Sequence, residues 1–92
     1  MNRQILLDCR KLKERRSAHE YLEEIMNFPE YYGHNLDALY DCLLEAKECN
    51  IVLQYEKEAC LEGTYGERII EILEEAAFEN PQLKLTPATY SQ

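Results

Sequence analysis

Ninety-two residues, 46% hydrophobic and 30% charged, suffice for a single packed domain spanning 1–92 and exclude a disordered chain. Ten Lys and Arg stand against 18 Asp and Glu, and the net charge of −8 disfavours direct nucleic-acid binding while suiting solubility or a basic partner. The apolar run Ile5-Leu6-Leu7 is too short for a signal peptide or membrane span, and Cys9, Cys42, Cys49 and Cys60 contain no CxxC pair of the kind that holds zinc, so a cytoplasmic protein with reduced thiols, no cofactor and no membrane contact is expected.

In chain order, Gln4 to Asp8 is a short apolar run that reads as a buried strand. After the basic stretch Arg10 to Arg16, Ser17-Ala18-His19-Glu20 has capping-box spacing and should open a helix reaching about Asn27, with Tyr21, Leu22, Ile25 and Met26 on one face. His19, beside that cap, is expected to be solvated. Pro29 ends the helix, because the residue before a proline avoids helical geometry. Glu30 to Gly33 is a loop, and Asn35 is a good cap for a second helix over Leu36 to Ala46. Asn50 to Tyr55 reads as a strand, with a helical turn at Lys57 to Leu61. Thr64 and Glu67 form a second capping box that opens a helix to about Glu79, ended by Asn80-Pro81, and Gln82 to Thr86 is a last short strand. The gaps between the strands are long and filled by helices, as parallel strands require. The predicted fold class is therefore α/β, a three-stranded parallel sheet packed by three to four helices with right-handed crossovers.

On a wheel of about 100° per residue, the second helix turns Leu39, Cys42, Leu43 and Ala46 toward the core and stacks Asp37, Asp41 and Glu45 on the opposite ridge. Asp37 favours the helix dipole from the first turn, but Asp41 in the middle has no such reason and no Lys or Arg inside the helix to offset it. Tyr40 and Leu44 lie between the acids and the core, where they should be half-buried. Two readings remain open on these residues alone: a solvated acidic face with an incidental tyrosine, or an acidic recognition surface with an aromatic anchor.

Residues 28 to 43 read FPEYYGHNLDALYDCL. This segment strongly resembles the signature of the barstar family of bacterial ribonuclease inhibitors, and the ILEEA segment Ile72 to Ala76 is similar to the family's last helix. The resemblance implies an inhibitor that inserts its second helix and the preceding loop into the active site of a basic ribonuclease, barnase-like or a toxin nuclease, and that is a monomer when free. It implies that Tyr31 contacts the enzyme, that Tyr32 and Gly33 shape the loop, and that Asn35 and Leu36 touch the enzyme at the helix start. Asp37 and Asp41 correspond to the family's two key carboxylates, Glu75 to the acid of the last helix, and Tyr40 to its tryptophan. Two more departures accompany Tyr40: His34 stands where an acid is usual, and Glu45-Ala46 replaces an aromatic just after the helix.

Catalysis is disfavoured. Asp37 and Asp41 lie on one exposed helix, where glycosidase-type acids would flank a deep cleft, and Cys42 points to the core, away from His34. The alternative to a ribonuclease inhibitor is an acidic binding module, of antitoxin or immunity type, for some other basic protein.

Overall fold

A computed structural model describes residues 3–87. The chain runs through β1 (Arg3–Asp8), a 3-10 turn (Cys9–Leu12), α1 (Arg15–Met26), α2 (Leu36–Leu44), β2 (Cys49–Gln54), the one-turn helix α3 (Glu56–Ala59), α4 (Tyr65–Glu79) and β3 (Leu83–Pro87). The strands form one parallel sheet in the order β1-β2-β3. This is the barstar-like α/β arrangement that the apolar runs and helical connections predict, with strand ends displaced by a residue.

Register explains which strand residues are buried. Ile5, Ile51 and Leu85 stand side by side, as do Leu7 and Leu53. Together with Cys49 and Leu83 they meet Leu22, Met26, Leu39, Leu43, Ile69 and Leu73 of the helices in one hydrophobic core. Successive strand residues point to opposite faces, so Gln4, Leu6, Asn50, Val52, Lys84 and Thr86 form the other face. The expectation of a fully buried first strand therefore holds for Ile5 and Leu7 but not for Leu6, which is 56% exposed because the core lies on one side of the sheet only. The Thr86 hydroxyl donates to Asn50 Oδ1 across this open face, at 2.8 Å.

The first helix starts earlier than the Ser17 capping box predicts. It opens at Arg15 behind Glu14, whose side chain makes no capping bond, and Ser17 lies inside the helix with its hydroxyl directed at the Glu14 carbonyl. The 3-10 turn buries Leu12 and α1 must already bury Ala18, so the chain turns helical at once and leaves no extended residue at position 17. Asn27, in the left-handed conformation at φ 58°, closes α1, and Phe28 N–H reaches back to the Glu23 carbonyl. The second capping box behaves as the sequence predicts at its first half: Thr64 Oγ1 accepts from Glu67 N–H. Its second half shifts by one residue, since Glu67 accepts from Gly63 N–H at 2.8 Å.

Asn80 does more than end α4. Its buried side-chain amide donates to the carbonyls of Leu43 and Ala46, at 3.0 and 2.9 Å, and its oxygen accepts from Gln82 N–H. These bonds cap carbonyls at the end of α2, where Leu43 already accepts from Ala46 N–H, and tie that end to the C-terminus of α4. Asn80→Ala is expected to lower stability by about 1–3 kcal/mol, the usual result of leaving buried polar groups without partners. Chemical denaturation checks this, through a lower midpoint at unchanged slope.

Candidate functional site

The surface singled out by the sequence is assembled around α2. Asn35 Oδ1 accepts from Ala38 N–H at 2.7 Å, the expected N-cap, and its amide nitrogen donates back to the Gly33 carbonyl. Asn35 thus serves both the loop and the helix, with Leu36 half-buried beside it. The approach at Gly33 is close: a Cβ there would lie 3.3 Å from both Ala38 Cβ and Asn35 Nδ2, so these neighbours would have to give by a few tenths of an ångström. Asp37, Asp41 and Glu45 are exposed along one ridge of α2, as the wheel predicts. Among the described residues no cation pairs with Asp37, Asp41 or Glu75.

Tyr40 is half-buried and Leu44 is 38% exposed, in agreement with their predicted border position. Tyr40 also lines a cleft of about 460 Å³ between α2 and α4, whose other walls are Glu71, Glu74, Glu75, Phe78 and Glu79. Tyr40 and Glu75, which are 35 positions apart in the sequence, therefore share one site. Phe78, 87% exposed on α4, adds a second aromatic wall that sequence reasoning passed over. Its position on the polar side of an otherwise amphipathic helix was the available signal.

The loop before α2 separates its two tyrosines. Tyr31 is 85% exposed and projects outward, whereas Tyr32 is buried. Tyr32 shapes the loop from within: its ring meets Phe28 at 4.8 Å and His34 at 5.0 Å, and its hydroxyl lies 2.6 Å from His19 Nδ1. His34 is at φ 56° and its Nε2 is 2.8 Å from a Glu23 carboxylate oxygen, which ties the loop to α1 a second time.

His19 corrects the sequence reading. It is not solvated but fully buried, with Nδ1 against Tyr32 and Nε2 at 2.6 Å from the Tyr65 hydroxyl. The cause is its place on the helix: His19 lies three residues before Leu22 and seven before Met26, on the face that α1 turns to the core. Every group is satisfied when the buried Tyr32 hydroxyl donates to Nδ1 and Nε2–H donates to the half-buried Tyr65, whose own hydrogen can turn to water. The chain Tyr32–His19–Tyr65 joins the loop before α2, α1 and the start of α4.

Burial, reinforced by His34 and Arg15, holds the His19 imidazole below its ordinary value of 6.5. The unfolded chain therefore takes up a proton near pH 6.5 that the folded chain refuses. The stability contributed by a neutral His19 is complete above that pH and declines as pH falls below it. Stability should therefore fall as pH drops below about 6.5, with a slope of at most about 1.4 kcal/mol per pH unit from this one group. Denaturation midpoints across this range check it, and His19→Phe should flatten the slope.

Cys42 is half-buried against the core. No helix among the described residues is long and apolar enough to cross a membrane.

Comparison with known proteins identifies the family. The chain is 34% identical over 80 residues to "Putative ribonuclease inhibitor YrdF" of Bacillus subtilis (strain 168), an alignment that covers 84% of this chain and 88% of the relative. The model of the family described as Barstar (barnase inhibitor) matches residues 2–87. This match takes in the entire α/β scaffold as well as the loop, α2 and α4 that form the surface, so the chain belongs to the barstar family of ribonuclease inhibitors.

Proposed function

We propose that this protein inhibits a basic ribonuclease by laying α2 and the Tyr31 loop across the enzyme's active site. The observation that carries the proposal is the pair Asp37 and Asp41: exposed carboxylates one turn apart on a capped helix, with no cation among the described residues paired to them. A ribonuclease cleft must bind and polarise a phosphodiester, so it concentrates Arg, Lys and His. A carboxylate fixed on a helix can occupy the phosphate position there and accept charge-assisted hydrogen bonds at little further ordering cost. Asp41 takes that role. Asp37 pairs with a basic residue near the helix start, and Glu75 with one that enters the Tyr40 cleft. Tyr31, Tyr40, Leu36 and the backbone around Gly33 and Asn35 supply the apolar and polar contact around these charges, while Tyr32 holds the loop from below. The protein performs no chemistry; it excludes RNA.

The excess of acids should also steer association. Titrating the chain into an active basic ribonuclease of the barnase type at low salt is expected to give a one-to-one loss of RNA cleavage, with association slowed ~10-fold or more when salt is raised. A complex that leaves cleavage intact would instead favour an acidic module for another basic protein. Absence of any complex at low salt would contradict inhibition of that enzyme class.

A further inference from the structure

We infer that the cleft between α2 and α4 is an arginine-binding site in which the basic partner lodges one guanidinium, and that Phe78 makes the site prefer arginine to lysine; this rests on the reading of the surface as the contact for a basic enzyme. Glu71, Glu74, Glu75 and Phe78 stand at i, i+3, i+4 and i+7 of α4, the spacing of a single stripe along a helix. All four are exposed, and with Glu79 and Tyr40 they line the cleft of about 460 Å³. The stripe strains its own helix. Like charges three and four residues apart repel, and glutamates in the last turns face the negative end of the helix dipole. α4 has no basic residue in its last turn, and among the described residues none of these glutamates has an ion pair. At the end of the stripe Phe78 leaves an aromatic ring 87% exposed to water.

A row of glutamates alone is ordinary solvated surface. Here it walls a cleft that also holds two aromatic side chains, and a flat cation offsets the repulsion and covers the exposed ring at once. A guanidinium has that shape. It is planar and weakly hydrated, so it can stack on an aromatic face while its N–H groups donate to the carboxylates around it. An ammonium is a compact, strongly hydrated point charge and gains less from the ring. A metal ion fits poorly, because among the described residues no three acidic, His or Cys side chains are gathered so as to hold one. The volume lies at the lower end of ligand-sized clefts, roughly 300–1,000 Å³, which suits one long side chain and not a helix. Tyr40 is half-buried against the core, so Phe78 is the ring left free to close on an entering side chain.

The test titrates the isotopically labelled full chain, at low salt, with two terminally blocked tripeptides that carry one arginine or one lysine between glycines. NMR follows the ring signals of Tyr40 and Phe78. The expected result is saturable shifts at both rings, with the arginine peptide bound roughly 2–5-fold more tightly, the fold-difference of an exposed cation–π contact. Phe78→Ala alters an exposed side chain and should leave the fold intact, and it should bring the two peptides to equal affinity. Equal binding of the two peptides by the unmutated chain, shifts centred away from the cleft, no binding of either peptide, or a preference that survives in Phe78→Ala would each overturn the inference. No ribonuclease enters this titration, so a failure here is distinct from a failure of the inhibition reading, which RNA cleavage with Asp41→Ala decides.

Discussion

Asp41→Ala should weaken inhibition of the target ribonuclease by about 2–5 kcal/mol, or ~30-fold to several-thousand-fold in the inhibition constant, while leaving stability nearly unchanged. That range describes truncation of one partner in a buried, hydrogen-bonded charge pair, and the barnase–barstar complex is among its measured examples. Most of the loss reflects the enzyme's cationic groups left buried without their counter-charge. The effect should appear chiefly in the dissociation rate. Glu45→Ala, one turn further along the same ridge, removes the same formal charge and separates position from net charge: it should change the affinity by less than ~1 kcal/mol, the usual size for a rim charge. Equal losses for the two variants would mean that bulk acidity, not a placed carboxylate, drives binding.

His19→Ala should be the most damaging of the single substitutions to the fold that presents α2. The ring is fully buried and bonded at both nitrogens. Its removal opens a cavity and strands the hydroxyl of buried Tyr32, and together these should cost about 3–4 kcal/mol. That is a large part of the 5–15 kcal/mol typical of small domains. His19→Phe keeps most of the volume and should recover part of the loss, about 1–2 kcal/mol, because only the hydrogen bonds are then missing. Equilibrium denaturation measures both. The Tyr31 loop should loosen before the sheet does, since Tyr32 is its internal anchor, and hydrogen exchange in residues 30–34 would reveal this as early loss of protection.

The fold was largely legible because local signals agreed. Three apolar runs gave the strands, Asn35 and Thr64 marked helix starts, and Pro29 and Asn80-Pro81 marked helix ends. The connections between strands were long enough for the crossovers that parallel pairing requires. Ser17 misled because a capping box is a local preference, and burial of Leu12 and Ala18 overrode it. On the candidate surface, periodicity correctly placed Asp37, Tyr40 and Asp41 relative to the core, since all three lie on one helix. It could not show that Glu75 and Phe78 of α4 stand across a cleft from Tyr40, or that Asn80 fixes that geometry from below, because these contacts join segments far apart in the chain. His19 was within reach: the wheel of α1 puts it on the apolar side. What the wheel lacked was its two tyrosine partners, one in the loop and one at the start of α4.

In the proposed complex Asp41 occupies the place of a substrate phosphate. The decisive measurement is inhibition of RNA cleavage by the unmutated chain and by Asp41→Ala, each with and without a mononucleotide that fills the enzyme's phosphate subsite. The mononucleotide should raise the apparent inhibition constant of the unmutated chain as a competitive ligand does, linearly with its concentration relative to its own Kd, and Asp41→Ala should inhibit far more weakly. Inhibition that is equally tight with the subsite filled, or undiminished in Asp41→Ala, would contradict it and would place the contact outside the phosphate site.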